Sequence, residues 1–210
     1  MQLYKVFTAV RFFKKLRTAF HLISQPLIAM LLRGAGIAIG HQPTFYGLPK
    51  MSRHPASEIR LGDRIVLCSD SNYTALALNH PVKISTIRAN ARISIGNDVG
   101  LSGSCIVCAR EIVIGSEVLI GANVLVVDTD FHPILPENRR FSDDEHCIGI
   151  APVYIGNNVF IGSAAIILKG VNIGDDCVVA AGAIVVAGEY IKGSILAGNP
   201  ARIVGNVYQS

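Results

Sequence analysis

The chain has 210 residues, of which 50% are hydrophobic and 16% are charged, with 20 glycines and no tryptophan. This content of apolar side chains excludes a disordered protein, because it can fill the core of one medium domain. The formal net charge of +4 is modest and the chain has no motif that reads DNA or RNA, so we expect no nucleic-acid partner. Five cysteines, an odd number, argue against a disulfide framework and indicate a reducing cytoplasm.

Residues 1–57 are predicted to form a basic, amphipathic, helical segment ahead of the main domain. Apolar residues recur at roughly helical spacing from Val6 to Leu16, with basic side chains among them. A second apolar run, residues 27–32, follows Pro26, which interrupts the stretch and leaves it too short to span a bilayer. Two compatible interpretations of this segment remain. It caps the main domain, or its residues 1–33 contact the inner face of the membrane while the protein itself is cytoplasmic.

An isolated CxxC motif, Cys105 to Cys108, encloses two apolar residues. A structural zinc site would need further cysteine or histidine ligands at matching spacing. We therefore predict that both cysteines are small residues of a packed strand, and we expect no metal.

A six-residue period dominates the chain after residue 90. The repeated position is occupied, near the C-terminus, by Ile155, Ile161, Ile167, Ile173, Val179, Val185, Ile191, Ala197 and Ile203. The same period is found earlier at Ile95, Leu101 and Val107, and then, shifted by one residue, at Ile114, Ile120 and Val126. Less regular first coils are indicated by Ile59, Leu61, Ile65 and Leu67. A period of six matches neither an α-helix nor one extended strand. It predicts short strands that each turn an aliphatic residue inward before a corner, three to a coil, stacked as an all-β parallel β-helix over residues 58–205.

The period breaks after Val126 and resumes at Ile155, which leaves a polar excursion loop at residues 128–152. A long loop in an otherwise regular solenoid is a candidate functional element. His132 lies near its start, after Asp128 and Asp130. An imidazole can remove a proton from an attacking hydroxyl near neutral pH, and the carboxylates could orient the ring or bind the hydroxyls of an acceptor.

Three segments give the chain a resemblance to a known family: DTDFHPILPENRR (128–140), VYIGNNVFIGSAAIILKGVNIGDDCVVAAGAIV (153–185) and AGNPARIVG (197–205). With the six-residue period, they resemble the hexapeptide-repeat acyltransferases, the group of maltose and galactoside acetyltransferases and surface-polysaccharide O-acetyltransferases. The resemblance covers about residues 58–205. It implies a left-handed parallel β-helix, a homotrimer with active sites between subunits, acetyl-CoA as co-substrate and His132 as the catalytic base.

The resemblance also assigns binding residues. Contacts to acetyl-CoA fall on Ser163, Ala181, Val186, Ala187 and Arg202, and contacts to a saccharide acceptor are expected at Asp128, Asp130 and Arg139. Many relatives carry threonine and lysine where this chain has Val186 and Ala187, so a cation is missing at the nucleotide end of the groove. The asparagine and aspartate that hold the sugar in galactoside-type enzymes would fall near 101–102 and 109–110, where neither residue is present.

These observations predict an acetyltransferase that acts on a hydroxyl of a saccharide acceptor, in cell-surface polysaccharide biosynthesis rather than on a simple galactoside or maltose. N-acetylation of an amino sugar and antibiotic acetylation are alternatives, because the same base and groove serve an amine. A catalytically silent β-helix scaffold is a further alternative. A γ-type carbonic anhydrase is disfavoured because no tight histidine pair lies within the repeats.

Overall fold

A computed structural model describes residues 23–137, 139–142 and 145–209, and within them 21 short strands pass through three sheets in rotation. The first sheet contains β1 (Ala38–Ile39), β4 (Glu58–Leu61), β7 (Arg92–Ile95), β10 (Glu111–Ile114), β13 (Val153–Ile155), β16 (Val171–Ile173) and β19 (Gly188–Tyr190). The second contains β2 (Thr44–Tyr46), β5 (Val66–Cys68), β8 (Gly100–Ser102), β11 (Leu119–Ile120), β14 (Phe160–Ile161), β17 (Val178–Val179), β20 (Ser194–Gly198) and β21 (Ala201–Asn206). The third contains β3 (Lys50–Ser52), β6 (Lys83–Thr86), β9 (Cys105–Cys108), β12 (Leu125–Val127), β15 (Ile166–Ile167) and β18 (Ile184–Val185).

Strands three apart in the chain pair in parallel, as β10 does with β7 and β13. The predicted architecture is therefore confirmed in part: the described chain is mostly β, with parallel sheets around one core and one α-helix. The exception is β21, which pairs antiparallel with β20. Short 3₁₀ turns at Ser71–Tyr73 and Glu145–Cys147 lie between strands.

The coils begin earlier than the sequence predicted. Strands β1 to β3 occupy residues 38–52 and pair with β4, β5 and β6 in the three sheets. The predicted boundary at residues 57 and 58 is thus too late, because the first coil lacks the six-residue period but has the same pairing. Only helix α1, residues 23–34, precedes the coils within the described residues.

Helix α1 covers the N-terminal end of the coils. Its residues Ile28, Ala29 and Leu32 are buried in the main core, and Pro26 lies within the helix without ending it. The periodic run from Val6 to Leu16 lies outside the described residues. Within the described part of the chain, no helix is both long enough and apolar enough to cross a membrane.

The six-residue period identifies most of the core. The predicted positions from Ile155 to Val185 are all buried, as are the four predicted in the first coils. Val107 lies one residue past the core position, because the core residue that pairs with Val126 is Ile106. The period also fails after Val185: Ile191 is 70% exposed, Ala197 is only partly buried, and Ile203 is exposed. The last coil is one residue shorter, so Tyr190 pairs with Ile173 and Leu196 pairs with Val179. Leu196 and, after the antiparallel turn into β21, Ala201 fill the core instead.

The corner between the first and second sheets is built by a repeated hydrogen bond. A side-chain oxygen of one coil accepts a backbone N–H of the previous coil, from His41 to Asp63 (2.7 Å), from Asp63 to Asn97 (2.8 Å) and from Asn157 to Asp175 (2.6 Å). The residue after this acceptor has a positive φ, as at Asp98 (57°) and Asp176 (58°). Asparagine and aspartate tolerate this backbone region better than other side chains, which explains their recurrence at the corner.

Candidate functional site

The excursion loop leaves the third sheet after β12 and returns before β13, and a short antiparallel ladder closes its base. Thr129 and Ile150 form an isolated bridge. The Asp130 N–H donates to the Gly149 carbonyl at 3.0 Å, and the Ala151 N–H donates to the Asp128 carbonyl at 3.0 Å. The two ends of the loop are thus joined by the backbone, so its tip projects from a fixed base.

Asp128 lies inside the protein, with no exposed surface. Its carboxylate accepts backbone N–H groups of Ala109 (2.6 Å), Arg110 (2.7 Å) and Glu111 (2.9 Å), and the thiol of Cys108 donates to it at 3.3 Å. Burial, together with the neighbouring carboxylate, raises the pKa of the Cys108 thiol well above its ordinary value. This placement contradicts the prediction that Asp128 binds the acceptor, because both oxygens bind the turn between β9 and β10.

Asp130 is held by a lysine that the sequence analysis did not single out. Lys169 Nζ lies 2.8 Å from Asp130 Oδ1, and both side chains are mostly buried. The second carboxylate oxygen is buried without a hydrogen-bond partner in the structure. A Cβ at Gly149 would lie 2.4 Å from that oxygen, so a larger residue there would displace the Asp130 carboxylate. The sequence feature that could have indicated Lys169 is that it is the one charged residue between Ile167 and Gly170, in an otherwise apolar coil.

His132 lies at the start of the loop tip and is exposed. The preceding residue, Phe131, has a φ of 63°, and its N–H donates to Thr129 Oγ1 at 3.2 Å. His132 lines a cavity of about 530 Å³ together with Pro136, Arg139, Arg140 and Phe141. A general base at the wall of such a cavity is accessible to a bound hydroxyl.

Arg139 lines the same cavity, and its guanidinium also braces the loop. Nε donates to the Leu135 carbonyl at 3.4 Å, and Nη2 donates to the Ile134 carbonyl. The guanidinium carbon of Arg140 lies 5.7 Å from the Phe141 ring centroid, within cation–π range. The cavity therefore combines one imidazole, two guanidinium groups and an aromatic ring.

Ser163 and Ala181 occupy the corner between the second and third sheets, in successive coils. The Gly182 N–H donates to the Ser163 carbonyl at 2.9 Å, and a Cβ at Gly162 would lie 2.4 Å from the Ala181 nitrogen. The two predicted cofactor residues are thus brought together in one column. The Gly162 N–H donates to the Val179 carbonyl at 2.7 Å, so this N–H group is already used within the coils.

Val186 and Ala187 lie at the third corner, between the third and first sheets, in the same column as the base of the excursion loop. The Gly170 N–H donates to the Ala151 carbonyl at 3.2 Å, and a Cβ at Gly170 would lie 3.1 Å from that of Ala187. Arg202 is separate from both columns. It is exposed on β21, and its Nη1 donates to the carbonyl of Ala201 at 2.9 Å.

The CxxC motif forms β9, as predicted, with Cys108 in the core and Cys105 partly exposed. Both are free thiols. Among the described residues, no group of three or more histidine, cysteine, aspartate or glutamate side chains is arranged to bind a metal ion.

Three parallel sheets with a six-residue period define the class of hexapeptide-repeat proteins, and residues 152–187 match the family model described as the hexapeptide repeat of succinyl-transferase. The chain is 38% identical over 102 residues to galactoside O-acetyltransferase of Escherichia coli, which covers 49% of this chain and 47% of the relative. It is 35% identical over 118 residues to the Saccharomyces cerevisiae protein YJL218W, covering 56% and 57%. The match spans about half the length of these two curated relatives. The predicted resemblance to hexapeptide-repeat acetyltransferases is thereby confirmed.

Solved structures show the same fold. A hexapeptide-repeat acetyltransferase from Vibrio cholerae in complex with acetyl-CoA has a TM-score of 0.52 and 22% identity, covering 85% of this chain and 75% of that one. A mutant of AntD, an N-acyltransferase from Bacillus cereus in complex with dTDP and coenzyme A, has a TM-score of 0.59 and 16% identity, covering 84% and 88%. At these identities the similarity defines the fold and not the reaction.

Proposed function

We propose that this protein transfers an acetyl group from acetyl-CoA to a hydroxyl of a saccharide acceptor, with His132 as general base. The observation that carries the proposal is the position of His132, exposed at the wall of a cavity on a loop with a fixed base. The acceptor hydroxyl attacks the thioester carbonyl while His132 takes its proton, and CoA leaves as the thiol. General-base catalysis contributes about 10²–10⁴ in rate.

Acetyl-CoA is proposed to lie along the small-residue corners of a left-handed β-helix. Ser163 and Ala181 provide a column with little side-chain bulk between the second and third sheets. Val186 and Ala187, at the corner between the third and first sheets, and Arg202, on β21, are the other proposed contacts. The relative and the structural neighbours named above support this cofactor, since two of those neighbours hold acetyl-CoA or coenzyme A.

A homotrimer is proposed because apolar side chains cover the outer surface of the second sheet. Strand register places outward residues of successive coils in one column: Val66, Gly100, Leu119, Phe160, Val178 and Ile195. Leu119 and Phe160 are about half exposed. The outer first sheet instead carries ion pairs of Arg92 with Glu58 and Glu111. Closed cyclic association would bury the apolar column and bring a groove from each neighbour to the cavity.

The proposed acceptor contacts are Arg139, in the cavity, and Asp130, at the base of the excursion loop. Arg139 lines the cavity directly, whereas Asp130 is held at the base of the loop by Lys169. N-acetylation of an amino sugar is the second candidate, supported by the likeness to an N-acetyltransferase of Staphylococcus aureus that is 44% identical over 54 residues, 26% of this chain and 22% of the relative. Parallel assays with a sugar and its amino analogue distinguish the two.

The test combines binding and turnover. Acetyl-CoA is titrated calorimetrically into the wild type, His132→Ala and His146→Ala, the last being an exposed histidine of the same loop. All three should bind one acetyl-CoA per chain. Turnover with a panel of saccharides should fall by about 10²–10⁴ in His132→Ala alone. A His132→Ala protein of near wild-type rate would end the assignment of the base, and absence of acetyl-CoA binding would end the acetyltransferase proposal.

A further inference from the structure

Charge is divided unevenly along the chain. Residues 1–57 contain eight lysines and arginines and no acidic residue, whereas residues 58–210 contain the other 11 basic residues and all 15 acidic ones. With histidine neutral, the formal charges of the two parts are +8 and −4, which add to the net +4 of the chain. The positive charge therefore belongs to the part of the chain that forms α1, the first coil and the segment before them.

Helix α1 presents an apolar surface away from the coils. Ile23 (74%), Leu27 (52%), Met30 (62%) and Leu31 (55%) are all more than half exposed, and we call this set the apolar α1 face. The offsets of four, seven and eight residues from Ile23 place them on one side of a helix. The opposite side, with Ile28 and Leu32, is buried in the core. A helix that is apolar on both sides needs a second apolar neighbour.

The orientation of the apolar α1 face is fixed by polar contacts. Gln25 Nε2 donates to the Phe45 carbonyl at 3.0 Å, and the Phe45 N–H donates to Gln25 Oε1 at 2.6 Å. At the other end, Arg33 donates to the carbonyls of Ile39 and Gly40, both at 3.1 Å. The helix cannot rotate to bury the exposed side without breaking these bonds.

The apolar surface continues onto the first coil. A groove of about 290 Å³ lies between α1 and the loop that follows β2, and Leu27, Leu31 and Leu48 line it. Leu48 is itself 61% exposed. Apolar side chains from two elements thus form one surface at the basic end of the molecule.

We infer that the apolar α1 face docks on a lipid bilayer with anionic headgroups. Apolar side chains would enter the interface while lysines and arginines of residues 1–57 meet lipid phosphates, as in interfacial helices. A second copy of this chain is a poorer occupant, because its own residues 1–57 carry the same formal charge of +8 and like charges repel. The −4 part of the chain would be repelled by the same headgroups, which orients the coils away from the bilayer.

The test is flotation of the full chain with vesicles of phosphatidylcholine alone or mixed with phosphatidylglycerol. The variant Met30→Gln/Leu31→Gln changes two exposed side chains of the apolar α1 face, and Ile191→Gln is the matched control, exposed at the other end of the coils. Wild type and control should float with the anionic vesicles. The double variant should partition at least about tenfold less, with unchanged thermal unfolding, and all three should bind neutral vesicles weakly.

Each contrary outcome overturns the inference. If the double variant floats like the wild type, the segment before α1 binds lipid without this face. If the wild type does not float, no lipid docking occurs. If instead the double mutation lowers the oligomeric state in sedimentation while wild type ignores vesicles, a second copy covers the face.

Discussion

The repeated coils and the excursion loop keep their geometry by different means. In the coils, each residue is fixed by its equivalent in the neighbouring coil, so the same corner bond recurs from Asp63 to Asp175. In the loop, single contacts hold the base: Asp128 to the turn after β9, and Asp130 to Lys169. The comparison indicates that repeated contacts make the coils tolerant of a change at one residue. The loop that carries His132 instead depends on a few contacts that no other residue repeats.

The largest expected effect is at Asp128. Asp128→Ala would leave the N–H groups of Ala109, Arg110 and Glu111 without their acceptor in a buried site. Unsatisfied buried groups cost roughly 1–3 kcal/mol each, partly relieved by water, so we expect a loss of about 3 kcal/mol in the free energy of unfolding. Urea denaturation measures it, with Glu137→Ala, an exposed carboxylate of the same loop, as the control. Equal stability of both variants would show that the loop base is as tolerant as the coils.

Next in size is Lys169. Lys169→Met removes the partner of Asp130 Oδ1 and leaves a mostly buried carboxylate without an ion pair. We expect about 1–2 kcal/mol of lost stability. Under the proposed function, kcat should fall while the affinity for acetyl-CoA is kept, because the loop base would shift and the corner columns would not. Lys83→Met, an exposed lysine on β6, is the control. An unchanged kcat would mean that Asp130 does not position the loop.

A smaller, pH-dependent effect is expected in the last coils. Hydrogen bonds from Tyr208, Asn158 and Lys192 lower the pKa of Asp176 from its ordinary 3.8 to about 2. A lowered pKa in the folded state stabilises the fold above about pH 4 and loses that contribution as the pH falls through 2. Asp176→Asn should therefore be less stable than wild type at pH 6, and the difference should narrow below pH 4. A difference independent of pH would contradict the ionic origin.

The smallest expected effect concerns the thiols, and it is a difference in reaction rate and not in the free energy of unfolding. Cys68, Cys108 and Cys177 are buried and burial raises the pKa of each thiol, whereas Cys147 in the excursion loop is exposed. Alkylation at pH 8 should modify Cys147 first, since the reacting species is an accessible thiolate. Peptide mass analysis identifies the site. Preferential modification of a coil cysteine would show that the coils open more readily than the loop base suggests.

The coils could be predicted because their period is written into the sequence, and the deviations have local causes. Ile191 keeps the period in the sequence but not in space, because the last coil is one residue shorter and Tyr190 pairs with Ile173. Ile203 loses its core position because β21 turns back against β20. The candidate site was predicted from the break in that period, which contains His132, and its role stays a prediction. The contacts that hold the base of the loop could not be predicted from the repeats. The partners of Asp128 and Asp130 lie 17 to 39 residues away, and a contact that occurs only once leaves no periodic pattern in the sequence.

The antiparallel return of β21 also gives the molecule a finite length. A stack of parallel coils ends in strands whose backbone groups can accept another strand, from the same chain or a different one. Because β21 runs against β20 with its own register shift between Ile195 and Leu196, the second sheet ends in a strand that the parallel pattern cannot extend. At the opposite end, α1 lies across the first coil. The chain thereby combines a repeat that could in principle continue without limit with two terminal elements that discourage filament growth.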